Sequence, residues 1–515
     1  RAAASGAAEA LSSLQLCGSG HHFLGISSEG LSGIVSSKGN TDTHLTLELS
    51  PRPPSGTADA ALSEACNAAM RGAAPVVVDV GEAEVDAAFD ELVGALAARV
   101  QSGETAARCL AGVRFRVSSP SAWAKGKQLI ERVAGAVKAR QRTGEGGGGA
   151  VGKGGEPPDN LRISGVRPLL PPACLLEEQP RAAVHERTVR GGRAELQRIL
   201  SGETDRLLAL VGPALVDDPS TCLELAARLA GLADEVKSEV LVVMRVQLLA
   251  KAGAAWPGIL KDPAKDASYK INDGLRTSRR LLLQVNQMGV PTASDFGDTV
   301  TPQYFADLLS WASVNAQSEM LRELVSGLSM PAGLRAAASG AAPAHLAAQL
   351  DEARGAMEAA AAPQSFFGVT SNGLAAIVHS TGNHDTALVM GGGSGSDVAS
   401  RVAAAREARA AGVATVVDCG GDTMASTAQA ELVTELAKLV EEGRGQLRGV
   451  CLSSYLLSGA QRGVSPGVSG MSVSAPCIDW TQTQAAVRAL AAAVRTARSS
   501  STGAPAKRAR TIGSA

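Results

Sequence analysis

Neighbouring carboxylates are the first residues in this chain that could do chemistry. Asp217 and Asp218 close one apolar run, and Asp422 follows another. Carboxylate oxygens of this kind can hold a hard cation. Histidines offer less: His379 and His384 bracket a Ser-Thr-Gly-Asn turn, and His21-His22 begin a strand-like stretch. A lone imidazole in a hairpin is ordinarily a surface or hydrogen-bonded residue. The eight cysteines (17, 66, 109, 174, 222, 419, 451, 477) contain no CxxC pair and no even spacing. They read as small buried hydrophobes in a reducing compartment rather than a disulfide framework or a zinc site. Gly391–Gly393 with Ser394-Gly395 resembles a phosphate loop only in glycine content. It lacks the GxxxxGK[ST] order, so a flexible turn is the expectation.

The elements that must carry these residues alternate in type. Strands are predicted at 205–213, 240–246, 414–421 and 447–454, and helices at 222–239, 275–289, 301–313 and 427–443. Short, fully apolar strands separated by helices imply a parallel sheet covered on both faces. At this length an α/β fold of the closed (β/α)8 barrel type is the natural solution, with chemistry at the strand ends.

The chain also repeats itself. RAAASGAA occurs at 1–8 and again at 335–342; residues 21–45 return, diverged, as 364–388. Residues 1–140 match the second half of a unit spanning 160–498, so the first copy lacks its front half. A glycine-rich linker is expected at 141–159 and a polar tail at 499–515. The tail's AKRAR string could be a nuclear signal, but a solvated linker is the plainer reading. An opening inside a repeat, on Arg1 rather than Met, is expected of a fragment of a longer tandem protein.

Composition narrows the function classes. With 515 residues, 19% charged and a net charge of −1, no field draws in nucleic acid or an anionic membrane. No apolar run approaches the ~20 residues that cross a bilayer. Aromatics make up only 3%, which means either a thin core of small residues or a base-composition bias in the coding DNA. A soluble protein of a reducing compartment, cytoplasm or plastid, is expected, and a fragment's N-terminus would leave the compartment open.

Longer strings point to a family. NLRISGVRPLLPPACLLEEQP (160–180), TDRLLALVGPALVDDP (204–219), VLVVMRV (240–246), SYKINDGLRTSRRLLLQVNQMGVPTASDF (268–296), TPQYFADLLSW (301–311), RELVSGLSMPAGL (322–334), FFGVTSNGLAAIVHSTGN (366–383) and CIDW (477–480) resemble class I 3-deoxy-D-arabino-heptulosonate 7-phosphate (DAHP) synthases. The resemblance covers 160–498, and the family's back half again in the first copy. It implies a (β/α)8 barrel with an N-terminal extension. It also implies condensation of phosphoenolpyruvate with erythrose 4-phosphate, the entry to aromatic amino acids, with a divalent metal such as Mn²⁺ polarising the sugar carbonyl.

By the same resemblance the metal ligands are gone. The family's Cys after Gly-Pro is Ala214, the His of Asp-Phe-Ser-His is Gly421, the Glu of Val-Glu-Ser is Ser453, and the Asp of Thr-Asp-Ala-Cys-Ile is Ala475. In the first copy, Glu82 stands for the His and Arg116 for the Glu. The anion clamps are thinned. Arg245 is kept and Arg335 replaces a Lys, but the family's Lys-Pro-Arg-Thr reads Ala250-Lys251-Ala252-Gly253. The family's Ala-Arg-Thr-Thr is shortened to Ala316-Gln317-Ser318, and its Leu-Arg-Gly-Gly reads Met390-Gly391-Gly392, or Leu47-Glu48 in the first copy. Each charge-assisted bond is worth roughly 1.5–3 kcal/mol, so these losses weaken substrate binding at least ~1000-fold. The expectation is a pseudoenzyme that binds no cofactor in the visible copies. Its partners would be itself or an active DAHP synthase copy, which would carry any turnover upstream. The alternative is an active synthase with a rebuilt site.

Overall fold

A computed structural model describes residues 162–502, apart from 251–253, 255, 337–342, 392–397, 422–423, 444 and 462–466, together with five strands of the preceding stretch. These strands are β1 (His22–Ile26), β2 (Ser32–Ser37), β3 (Leu45–Glu48), β4 (Val76–Glu82) and β5 (Leu110–Arg116). Contacts divide the chain into residues 1–21 with 36–165, and residues 22–35 with 166–515. In the first unit β3, β4 and β5 form a parallel sheet in that order. In the second, β1 and β2 share a three-stranded sheet with β6 (Ile163–Pro168).

The second unit is built round a closed barrel. Its strands are β7 (Leu207–Gly212), β8 (Val240–Arg245), β9 (Thr292–Asp295), β10 (Trp311–Asn315), β11 (Ala332–Arg335), β14 (Thr386–Met390), β15 (Thr415–Asp418) and β16 (Leu447–Ser453). Every neighbouring pair is parallel, and β16 closes on β7. An antiparallel hairpin, β12 (Ser365–Val369) with β13 (Ala375–His379), lies between β11 and β14 in sequence.

Strand alternation explains the two-sided core. Leu208 and Leu210 of β7 pack inside the barrel with Val243, Ala293, Trp311, Val389, Val416 and Cys451. Leu207, Ala209 and Val211 face outward into the helix layer. The helices are α1 (Pro172–Glu178), α2 (Ala183–Ser201), α3 (Pro219–Val236), α4 (Ile271–Gln287), α5 (Pro302–Phe305), α6 (Glu319–Ser326), α7 (Pro343–Ala361), α8 (Val398–Ala410), α9 (Ser426–Glu441) and α10 (Trp480–Thr502). The helix α3 starts where a capping residue and a proline dictate. Asp218 accepts from the backbone N–H groups of Ser220 and Thr221, and Pro219 sits in the first turn.

Many of the strings that carry the family resemblance turn out to hold the scaffold together. Arg279, almost wholly buried, donates to the carbonyls of Gln179 and Tyr304 and pairs with Asp307. Asn286 ties α4 to β9 through Thr292 and to the carbonyls of Leu282 and Leu308. Asn383 donates to the carbonyls of Val325, Leu328 and Met330.

One expected element is wrong. Residues 301–313 do not form one helix: α5 ends at Phe305, a 3₁₀ turn covers Ala306–Leu308, and Trp311 already belongs to β10. The apolar run Leu308-Leu309-Ser310-Trp311-Ala312 suits a helix stripe or a buried strand equally well. Barrel pairing of Trp311 with Ala293 and of Ala312 with Ala332 decides it. Strands β9, β11 and β14, at Thr292–Asp295, Ala332–Arg335 and Thr386–Met390, are not among the strands expected from the sequence.

Candidate functional site at the mouth of the barrel

The C-terminal ends of the strands gather the residues singled out above. Strand β8 ends on Arg245, β9 on Asp295, β11 on Arg335, β15 on Asp418 and β16 on Ser453. The four positions matched to metal ligands lie around them. Ser453 is buried and pairs with Gly212, two residues before Ala214. A side chain on Gly420, next to Gly421, would run into the Ser453 hydroxyl. Cys477, two residues beyond the buried Ala475, lies against the backbone of Ala214. The barrel therefore brings the matched positions together, but with apolar or hydroxyl side chains in them.

Backbone geometry adds a constraint. Gly421 has φ +140°, a conformation that residues with a side chain rarely adopt. The turn before it is fixed by Arg401, which donates to the carbonyls of Asp418 and Gly420 at 2.7 and 2.6 Å. The Asp418 carboxylate in turn accepts from the Gly420 N–H at 3.0 Å.

The two retained cations are already engaged. Arg335 Nη1 donates to Asp418 Oδ2 at 2.6 Å, and its Nε lies 3.4 Å from Asp295 Oδ2. Arg245 Nη2 lies 3.7 Å from the same Asp295 oxygen. Two guanidinium charges thus face two carboxylates in a mostly buried site, and little net positive charge is left for a phosphate. Burial opposes the charge on Arg335, yet Asp295 and Asp418 raise its pKa above the ordinary guanidinium value. Burial likewise pushes the Cys451 thiol beside this cluster up to about 11, so it stays protonated and weakly nucleophilic at neutral pH.

The other candidates scatter. Asp218 is occupied as the α3 cap, and Asp217 accepts from the buried Tyr455 hydroxyl at 2.8 Å. Asp422, Lys251 and Gly393–Gly395 lie outside the described residues, as do the side chains of Glu82 and Arg116. His379 meets Ser365 Oγ at 2.8 Å on the β12–β13 hairpin, and His384 is exposed. Among the described residues, no three His, Cys, Asp or Glu side chains form a group able to hold a metal. Of the described cysteines, 222, 419, 451 and 477 are buried and free as expected, whereas Cys174 is exposed. Sequence reasoning did not pick out Asp295, Asp418 or Arg401; only the strand ends on which the two aspartates sit could have flagged them. No described helix is long and apolar enough to cross a membrane.

Comparison with known proteins points one way. The DAHP synthetase I family matches residues 183–487. The Phe-sensitive phospho-2-dehydro-3-deoxyheptonate aldolase of Escherichia coli is 36% identical over 352 residues, 66% of this chain and 98% of that protein. The tyrosine-inhibited aldolase of Schizosaccharomyces pombe is 33% identical over 357 residues, 66% of this chain and 94% of that one. The solved phospho-2-dehydro-3-deoxyheptonate aldolase of Francisella tularensis superposes with a TM-score of 0.59 at 29% identity, over 65% of this chain and all of that chain.

Proposed function

This chain belongs to the DAHP synthetase I family, and from that premise we propose that its complete barrel is a catalytically silent member, kept for assembly or regulation in aromatic amino-acid biosynthesis. The observation that carries this is the donor set at the mouth. Ala214, Gly421 and Ala475 have no ligating atom, and Ser453 offers only a neutral hydroxyl packed over Gly420. That set does not fit a divalent metal, which takes carboxylate, imidazole or thiolate donors. What the remaining residues do is structural. Arg335 and Arg245 bridge β8, β9, β11 and β15 through Asp295 and Asp418, and Arg401 fixes the turn after β15.

The first unit is read as the back half of a second such barrel. Its support is the strand register. Val76 pairs with Leu110 and Val77 with Gly112, across a break. Thr415 pairs with Leu447 and Val416 with Gly449, across a break at the same place. Gly449 has no room for a side chain against Leu208, and the first copy has Gly112 at the matching point. An active synthase copy, upstream or separate, would supply turnover.

A second reading has one observation behind it. Arg245 Nε and Arg335 Nε and Nη2 are buried and make no hydrogen bond among the described residues, a feature suited to sensing a small anion such as phosphoenolpyruvate without turnover. Titrating the full chain with Mn²⁺, following free metal by electron paramagnetic resonance, separates a barrel without turnover from an active enzyme, and calorimetry with phosphoenolpyruvate alone separates the silent barrel, which shows no binding, from the anion sensor, which does. The silent barrel leaves the Mn²⁺ signal unchanged at micromolar metal with or without phosphoenolpyruvate. Uptake of one Mn²⁺ per chain would mean a rebuilt site and an active enzyme.

A further inference from the structure

The loop that follows β8 is held in a costly shape. Lys265, Ala267 and Tyr269 have φ of +57°, +58° and +49°, the left-handed region that residues with a Cβ disfavour. Three such residues so close together store strain that other contacts must balance. Both ends of the segment are fixed. At one end Asp262 is buried, and its carbonyl accepts from the Trp256 indole N–H at 2.9 Å and from the Lys265 N–H at 3.2 Å. At the other end the buried Ile271 starts α4. Between them, no residue of 263–270 is buried.

One side chain supplies much of that balance. Lys265 Nζ lies 3.9 Å from Asp217 Oδ2, on the loop after β7, and 5.3 Å from the centre of the Trp256 ring. The Asp217 side chain is 8% exposed and that of Lys265 22%, so solvent screens the pair little. Asp217 Oδ1 accepts from the hydroxyl of Tyr455, on the loop after β16. Lys265 therefore ties together the loops that follow three adjacent strands, β16, β7 and β8. Cys477 lies on the same side of the mouth, against the Ala214 backbone and in the field of Asp217. The closed arrangement is not fully satisfied. Asp262 Oδ1 and Ser268 Oγ are shut off from solvent and make no hydrogen bond among the described residues. Release of the segment would give both atoms to water and relax the left-handed residues, while Tyr455 stays on Asp217.

We propose that residues 263–270 are a strap over the β16–β7–β8 side of the mouth, latched by Lys265 on Asp217 and poised to open. Backbone strain and two unsatisfied polar atoms favour opening. The charge pair and the ring contact of Lys265 favour closure. Closed, the strap shields Asp217, Tyr455 and the Ala214–Cys477 contact from solvent. Open, it admits small molecules to that side of the barrel, whether or not the barrel turns over substrate.

Hydrogen exchange and thiol labelling of the full chain read the two states. Lys265→Met keeps an apolar stem against Trp256 and removes the charge, whereas Lys265→Arg keeps the charge. In Lys265→Met, exchange of the 263–270 amides should speed up about tenfold, with α4 and the melting curve as in the parent. Alkylation of Cys477, mapped by mass spectrometry, should rise by a similar factor. Cys419, buried in the helix layer, should stay unchanged. Asp217→Asn should behave as Lys265→Met does, and Lys265→Arg as the parent does. Parent-like exchange in both Lys265→Met and Asp217→Asn would show that the pair latches nothing. Faster strap exchange with Cys477 labelling unchanged would show that the strap guards no route to the mouth. Equal acceleration at Cys477 and Cys419 would show that the pair merely stabilises the fold. Each of these three results would overturn the proposal.

Discussion

At the scale of single residues, the mouth of the barrel differs from a metal site by more than four side chains. Gly421 at φ +140° means the backbone there suits glycine, and a side chain in such a region costs about 1–3 kcal/mol. Gly421→His, which restores the residue type expected by resemblance, should therefore lower the melting temperature by several degrees and yield no metal binding even with Ala214→Cys, Ser453→Glu and Ala475→Asp added. A fourfold variant that melts like the parent and takes up Mn²⁺ would show that the backbone had kept its shape. Arg335 supports a second expectation. Removing it leaves Asp418, 9% exposed at the side chain, without its cation, and breaking such a pair costs about 3–5 kcal/mol. Arg335→Met should fall at the low end, since the arginine is 23% exposed, and adding Asp418→Asn should recover part of the loss. Denaturant titration of the two single variants and the double variant measures the coupling; a loss under about 1 kcal/mol in the single variant would show the pair to be incidental. The family resemblance made Arg245 and Arg335 visible as remnants of the substrate-phosphate clamp. The sequence hid their neutralisation, because Asp295 and Asp418 are 40 and more residues from either partner along the chain and meet them only when the barrel closes.

Elements were legible where periodicity was unambiguous. The strand expected at 240–246 is β8 at Val240–Arg245, and the helix expected at 427–443 is α9 at Ser426–Glu441. Boundaries slipped where caps decide them, as with α3, which begins at Pro219 behind Asp218 rather than at 222. The run around Trp311 failed because its apolar residues fit both periods and tertiary pairing alone chooses. An N-terminal helix contact gives the pH expectation at this scale. The His185 Nδ1 at the start of α2 accepts from the Ala182 N–H at 2.9 Å, which requires a ring nitrogen without a proton. Burial, with Arg279 adding, holds its pKa below the ordinary imidazole value of about 6.5. A folded pKa below the unfolded one stabilises the fold above about pH 6.5, and this contribution is lost as pH falls through the folded value. Urea midpoints measured from pH 7.5 down to 5 should therefore decline, and decline less steeply in His185→Gln; parallel slopes for the two proteins would contradict this.

At the scale of the molecule, scaffold and barrel mouth make one account. Buried ties such as Arg279–Asp307 and Asn383 with its three carbonyls hold the scaffold together, and the barrel strands pair in parallel register. The positions matched by resemblance to metal ligands hold Ala, Gly and Ser. A scaffold with 36% identity to an Escherichia coli aldolase fixes the fold, while function depends on a handful of strand-end side chains. The most direct check is the condensation itself. The full chain, folded by circular dichroism, is assayed with phosphoenolpyruvate, erythrose 4-phosphate and Mn²⁺ beside the Escherichia coli Phe-sensitive aldolase. The account predicts no product above the protein-free rate even at enzyme concentrations a thousandfold above those of the control. Turnover that chelation abolishes would contradict it, and would mean that ligands other than those at 214, 421, 453 and 475 have remade the site.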